Sequence, residues 1–368
     1  MAGVLLPSPS FSSISAPIKS TSLSSQAYVL SIAPLSTHYA ASASAPSNTI
    51  DLFDKITFVG AQTLPGHEEG TTSLRCVDKI ANISRPVLVS SGMDGSIKVW
   101  DERTNSHSIK MTNLVAGGTQ LQGEDAHIVY WDPRQPAAPL RTHSSTHSDD
   151  VTVLRFSPDS ENLLMSASTD GLISTSTADE EDEDEAVLHV GAWNCSVSQA
   201  GWIHSSSGAK VWASSDMETF STWTDELDLL QSQDIRGPSL HNHAQYEWLT
   251  DYLITCHSST ATPCLKVFAG SNQGDIALLS NPNLAAPAAP WSLCNTWTNA
   301  HTGIVRSLLW DEQNELMVTG GEDGKINVWK CPEPTQADDG AMDVDPSPSR
   351  KRDMDWEEDE HEEKRARR

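Results

Sequence analysis

Several groups of residues in the 368-residue chain carry side chains able to do chemistry or charged recognition. His241-Asn-His243, with Asp251 or His257, offers imidazoles and a carboxylate of the kind that hold a metal. The pair has no further ligands at fixed spacing and precedes the strand-like run Tyr246 to Ile254, so it reads as a polar loop. The four-residue frame Trp-Asp-x-Arg occurs twice, as Trp100, Asp101, Arg103 and as Trp131, Asp132, Arg134. An arginine fork at a strand end can grip a protein partner, or it can simply pair with the nearby aspartate. There is no G-x-S-x-G elbow, no phosphate-cradling G-x-x-x-x-G-K-[ST] loop and no H-E-x-x-H helix. No catalytic residue, metal or cofactor is expected, and the chain reads as a non-enzyme.

Composition narrows the partners. Lys and Arg total 24 against 50 Asp and Glu, a formal charge of −26. A nucleic-acid binder needs a basic surface to meet phosphate, and anionic lipid would repel this chain, so neither partner is expected. No apolar run approaches the ~20 residues that cross a bilayer. The six cysteines, scattered without a C-x-x-C pair, read as reduced thiols of an intracellular protein. An apolar share of 38 per cent leaves room for a core but implies tails and loops.

The elements that must position these residues repeat. Glu315 to Trp329 reads ELMVTGGEDGKINVW, and Pro86 to Trp100 reads PVLVSSGMDGSIKVW. Each is an alternating strand, an Asp-Gly turn and a second alternating strand, the pattern of a β-hairpin. Asp94 to Trp100 and Asp323 to Trp329 both span six residues. A third copy runs from Asn162 to Ile173 with Asp170 at the turn, and Ser176 stands where the aromatic is due.

This pattern resembles the WD-repeat family of β-propellers. The resemblance implies that a His, a Ser or Thr, an Asp and a Trp lock each blade by hydrogen bonds. In the last blade these are His301, Thr319, Asp323 and Trp329. An earlier blade offers His67, Ser90, Asp94 and Trp100, and another offers His147, Ser166 and Asp170 without the Trp. Such sets mimic a catalytic triad, but as repeated braces between strands they lack an open cleft. Third strands of successive blades end near Phe53, Trp100, Trp131, Ser176, Trp223, Leu279 and Trp329, in steps of 47, 31, 45, 47, 56 and 50. The expected fold is therefore an all-β, seven-bladed WD-repeat propeller over residues 26–332. Residues 1–25, rich in Ser and Pro, read as flexible with one part closing the ring. Residues 333–368 read as a disordered acidic tail.

The step of 31 is too short. Ser108–Asn113 can form an outer strand, and Val115–Thr119 and Ala126–Trp131 the second and third strands of the next blade, so nothing remains for its innermost strand. The third blade is expected to be shortened, either genuinely or through a skipped exon or incorrect gene model. Transcript sequencing is expected to find additional residues between Leu114 and Gly117; a verified transcript with none would establish the short blade as genuine.

Within the family the propeller stretch looks closest to the WD repeat-containing protein 89 group. The residues that carry this are Ala116–Asp132, Thr146–Pro158, Gln233–Arg236 and Ala300–Trp310. The first Trp-Asp-x-Arg frame looks like the box of substrate receptors of cullin-RING ubiquitin ligases, which implies an adaptor contact through Arg103 and Arg134. In the tail, Arg350, Lys351, Arg352 and Lys364, Arg365, Arg367, Arg368 flank an acidic spacer and resemble a bipartite nuclear import signal read by an importin-type carrier. Ser347-Pro348 matches a proline-directed kinase site whose phosphate would add about −1.5 to −2 charge beside Arg350. Asp179–Glu185 is a run of seven acids, a candidate for basic partners or a solvated loop. The function expected is a non-catalytic interaction scaffold located in the nucleus, with the cytoplasm left open. It would act as a monomer in a larger complex that meets basic nuclear proteins; the alternative is a ligase substrate receptor.

Overall fold

A computed structural model of the chain describes residues 5–77, 86–100, 114–132, 135, 137–204, 209–240, 247–260, 264–286 and 289–332. Two strands open it, β1 (Leu5–Ile14) and β2 (Lys19–Ser22). Seven sheets follow. The first holds β3 (Val29–Pro34), β4 (His38–Ala43), β5 (Ile50–Asp54) and β6 (Gly60–Leu64). The second holds β7 (Thr71–Val77), β8 (Val87–Gly92) and β9 (Ile97–Trp100). The third holds β10 (Val115–Gly118), β11 (Ala126–Trp131) and β12 (Arg141–His147). The fourth holds β13 (Val151–Phe156), β14 (Leu163–Ser168), β15 (Leu172–Thr177) and β16 (Val187–Ala192), with the short helix α1 (Glu183–Ala186) before its last strand. The fifth holds β17 (Val197–Trp202), β18 (Val211–Ser215), β19 (Thr219–Trp223) and β20 (Leu229–Asp234). The sixth holds β21 (Tyr252–His257), β22 (Lys266–Gly270), β23 (Ile276–Ser280) and β24 (Trp291–Trp297). The seventh holds β25 (Val305–Asp311), β26 (Leu316–Gly321) and β27 (Lys325–Lys330).

Phe53, Trp100, Trp131, Ser176, Trp223, Leu279 and Trp329 all fall on third strands, and seven consecutive antiparallel sheets make a seven-bladed propeller. The Asp-Gly turns behave as their chemistry demands. Gly95, Gly171 and Gly324 sit at φ of 69°, 82° and 70°, a region that costs a side chain strain. Second strands such as β14, β18 and β26 are buried along nearly their whole length, since a neighbouring blade covers each face. Their Ala, Ser, Thr and Gly residues let those neighbours approach.

The core is divided among the blade junctions. Trp212, Phe220, Leu279 and Trp291 fill the junction of the fifth and sixth sheets; Tyr39, Phe53, Val318 and Val328 fill that of the seventh and first. Four further clusters occupy the remaining junctions, except that none spans the second and third sheets among the described residues. The third sheet explains this. Its described strands begin at β10, which corresponds to a second strand, so no strand among the described residues takes the innermost position there. The outer strand expected at Ser108–Asn113 lies outside the described residues.

Closure comes from the N-terminal segment. β2 pairs antiparallel with β27, from Lys19 opposite Val328 to Ser22 opposite Lys325, and gives the seventh sheet its outermost strand. The reading of residues 1–25 as flexible needs correction from Leu5 onward. β1 lies parallel to β24 as a fifth strand on the sixth sheet, with Leu5 opposite Trp291 and Ile14 opposite Trp297. Leu5 and Leu23, each 2 % exposed, pin the segment at both ends. The Ser12 and Ser13 hydroxyls bond Asn295 (2.6 Å) and Thr296 (2.9 Å). The abundant serines therefore act as partners for a polar edge.

Deleting residues 1–22 re-exposes the edges of β24 and β27 and should lower the urea midpoint, and Leu23→Ala alone should cost about 2–5 kcal/mol. An unchanged midpoint on deletion would show that the added strands contribute nothing to the ring.

Candidate functional site

The side chains that looked most reactive in the sequence are brought together by the hairpins that carry them. In the second blade His67 precedes the first strand, Ser90 lies on β8, Asp94 in the turn and Trp100 at the end of β9. His67 Nδ1 lies 2.9 Å from Asp94 Oδ1, His67 Nε2 lies 2.8 Å from Ser90 Oγ, and Trp100 Nε1 donates to the same Oγ at 2.9 Å. The seventh blade repeats this. His301 meets Asp323 at 3.1 Å and Thr319 Oγ1 at 2.9 Å, and Trp329 donates to Thr319 Oγ1 at 3.0 Å. In the fourth blade His147 reaches Asp170 (3.2 Å) and Ser166 (2.8 Å), while Ser176 stands where the indole is missing.

The proton order in each set follows from the inventory of donors. A carboxylate only accepts, so Nδ1 carries the hydrogen toward Asp, and Nε2 of the neutral ring accepts from the hydroxyl. A hydrolase triad uses the same order, yet these sets cannot act as one. The imidazoles of His67, His147 and His301 have no solvent exposure, and in the second and seventh blades an indole N–H occupies the hydroxyl oxygen. No substrate carbonyl can approach, so the sets hold strands together.

Their carboxylates are strongly held as anions. Burial alone would raise Asp323, but hydrogen bonds from His301 and from the Thr302 and Lys325 amides outweigh it and bring the group down to about 2. Asp94 and Asp170 are depressed for the same reason, again against the opposing effect of burial. A carboxyl whose folded pKa is depressed stabilises the fold above its ordinary pKa and loses that contribution as pH falls through the folded value.

Other sequence candidates separate in space. Asp251 precedes β21 and His257 ends it, about 20 Å apart at the rise of a strand, so the two cannot share one metal. Asp251 accepts from the Asn272 amide (2.7 Å), and His257 meets Glu312 (3.2 Å). His241 and His243 lie outside the described residues, among which no three His, Cys, Asp or Glu gather as a metal set. Of the Trp-Asp-x-Arg frames, Trp100 is sealed into the brace and Trp131 packs where a Cβ on Gly117 would meet it at 2.9 Å. Asp132 follows the end of β11, whereas Asp101, Arg103 and Arg134 lie outside the described residues. So do Ser347 and both basic tail clusters.

Within the acidic run, Glu183 is the exception. Its carboxylate turns inward and accepts from the Ser144 and Ser145 amides (2.7 and 2.8 Å) and from Thr146 Oγ1 (2.6 Å) on β12. The other six acids of the run are exposed. Sequence reading missed this clamp between blades three and four, because nothing local marks one glutamate among seven. It also missed Tyr39, whose hydroxyl donates to Asp311 (2.9 Å) while Lys55 approaches the same carboxylate (3.5 Å), joining the first blade to the seventh. A detectable signal lay in Ser221-x-Trp223, where the indole donates to a hydroxyl two residues earlier on its own strand (2.9 Å).

A ring of seven hairpin sheets, braced by His, hydroxyl, Asp and Trp, is a WD-repeat β-propeller. The chain carries repeats that match the WD domain, G-beta repeat, at residues 60–101, 138–174 and 291–330. Along most of its length it is similar to the WD repeat-containing protein 89 homolog of Dictyostelium discoideum, 26% identical over 78% of this chain and 79% of that protein. It is also similar to the WD repeat-containing protein GTS1 of Arabidopsis thaliana, 27% identical over 83% of this chain and 82% of that protein. Among solved structures, the computationally designed Ika8 protein superposes with a TM-score of 0.56 at 19% identity, covering 84% of this chain and 98% of its own, a likeness of fold alone.

Thr319→Val should cost about 1–3 kcal/mol, since it strands the buried Trp329 indole N–H while His301 Nε2 keeps its bond from the Asn327 amide. Acid titration should remove stability as pH falls from about 4 toward 2, and Asp323→Asn should flatten part of that loss. A fold equally stable at pH 5 and pH 2.5 would contradict the bracing role.

Proposed function

We propose that this chain is a non-catalytic nuclear scaffold that presents an acidic surface to basic protein partners. The reading is carried by one contrast. The polar sets able to do chemistry are sealed inside blades, while Asp179, Glu180, Glu181, Asp182, Asp184 and Glu185 face solvent beside the anchor Glu183. A rigid ring with charged loops favours capture of oppositely charged partners, and a net charge of −26 steers cationic chains from a distance. The two basic tail clusters, Arg350–Arg352 and Lys364–Arg368, support delivery to the nucleus by an importin-type carrier. Ser347 beside them gives a phosphorylation control of that delivery. The second reading, a ubiquitin-ligase substrate receptor, rests on the repeated Trp-Asp-x-Arg frame. Its tryptophans are committed to packing, which leaves Asp101, Arg103, Asp132 and Arg134 to make any adaptor contact.

Affinity purification of the tagged full chain should recover basic nuclear proteins, and neutralising the six exposed acids should reduce that recovery. Recovery of a cullin and its adaptor, lost with Arg103→Ala and Arg134→Ala together, would replace the scaffold reading by the ligase reading. Removing residues 350–368 should abolish nuclear accumulation; unchanged accumulation would refute the import role.

A further inference from the structure

The first strands of the blades share one register. In six sheets the strand bulges near its start, between Val29 and Ser31, Thr71 and Ser73, Val151 and Val153, Val197 and Gln199, Leu253 and Thr255, and Val305 and Ser307. Counting four residues from the start of each bulge gives equivalent positions around the channel: Ala33, Arg75, Arg155, Gly201, His257 and Leu309. The third sheet contributes nothing to this layer among the described residues. Arg75 and Arg155 therefore stand on either side of an innermost position that no described residue fills.

Neither arginine has an acidic partner among the described residues. Arg75 Nε makes a long bond to Ser73 Oγ (3.4 Å), and Arg155 pairs through its backbone with Met165 and accepts at its carbonyl from Trp202 (3.3 Å). His257, the other titratable group of the layer, is already engaged with Glu312. Both arginines are solvent-exposed, and Arg75 is pushed down to about 9 by desolvation from the protein around it and then by the charge of Arg155. Two arginines close enough to feel each other's charge, with no acidic partner among the described residues, are unexpected in a chain of net charge −26.

Among the described residues the gap also has an unpaired sheet edge. Thr119 N donates to His127 O (2.9 Å), and the pairing continues through Gly117 opposite Val129 and Val115 opposite Trp131. By strand alternation the amides of Ala116 and Gly118 point the other way, toward the channel side. An extended backbone laid there would become the missing innermost strand. A carboxylate at its equivalent position would stand between the two arginines.

We propose that the third blade takes up an extended acidic segment of a partner protein by strand addition to β10, with its carboxylates held between Arg75 and Arg155. This deepens the scaffold reading and rests on it, though the acidic rim selects basic partners while this inner site selects an acidic one. Charge complementarity argues for acid, and the unpaired edge argues for a peptide backbone over a nucleic acid. A transcript restoring about a dozen residues before Gly117 would supply the same strand within the chain and close the site.

The test uses the full-length chain and a labelled peptide of about ten residues alternating Glu with Val, followed by fluorescence anisotropy. Saturable binding is expected, weakened about tenfold or more by Arg75→Ala with Arg155→Ala. Ala116→Pro removes one free-edge amide, is tolerated at an edge, and should abolish binding with an unchanged circular-dichroism spectrum. A Lys–Val peptide should not bind. The proposal is overturned if the acidic peptide fails to bind, if binding survives both the double substitution and Ala116→Pro, or if a single-stranded oligonucleotide displaces it. None of these outcomes bears on recovery of basic proteins by the outer surface, so the two readings fail separately.

Discussion

Burying an imidazole is least costly when both its nitrogens are bonded, and the braces of the second, fourth and seventh blades are built on that constraint. His67 and His301 can be buried only because the hairpin delivers an aspartate from its turn and a hydroxyl from its middle strand to opposite sides of the ring. The same hydroxyl then receives an indole N–H, which lets a tryptophan end the third strand inside the core. Each brace ties a loop, a turn and two strands into one unit. The brace also removes the reactivity its residues would have elsewhere, because the bonds that satisfy the hydroxyl and the imidazole are the bonds a substrate would need.

Local sequence carries whatever is repeated and close. Asp-Gly turns, alternating strands and the six-residue step from Asp to Trp are set by hairpin geometry, so fold class and blade count were legible without coordinates. Features that depend on distant partners were not. Glu183 is one of seven acids and is distinguished only by facing the Ser144 and Ser145 amides across a blade junction. Asp311 and Tyr39 lie at opposite ends of the ring in sequence and meet only because the ring closes. The strand β1 was hidden for a related reason. Serine and proline suggest a loop, whereas the pairing to β24 is specified by the edge it covers and by the anchor Leu5.

The fourth blade shows how far the pattern can bend. Ser176 replaces the tryptophan, yet His147, Ser166 and Asp170 keep their bonds. The histidine and aspartate satisfy each other with or without the indole, so the indole adds packing and one hydrogen bond to a set that stands alone. The fifth blade keeps the tryptophan and finds its hydroxyl on the same strand, from Ser221. In the second and fifth blades the indole is served by different hydroxyls, so the residue supplying the acceptor can vary.

Blade three sets the limit of that tolerance. Losing an innermost strand removes the apolar contact that other junctions possess, and no buried cluster joins the second and third sheets among the described residues. The sheet is supported from its other side. Ile128 and Tyr130 pack on Leu164 of the fourth blade, the Val151 amide donates to the Thr119 carbonyl (3.0 Å), and Glu183 grips β12. Because these three contacts all come from blade four, the third sheet is held as an appendage of its successor, and the weak seam falls between blades two and three. A propeller with one unbraced seam can still stay closed, because the β2–β27 pairing locks the ring elsewhere. Among the described residues the loss is therefore confined to the channel wall, where it leaves the inner edge of β10 unpaired without separating the blades.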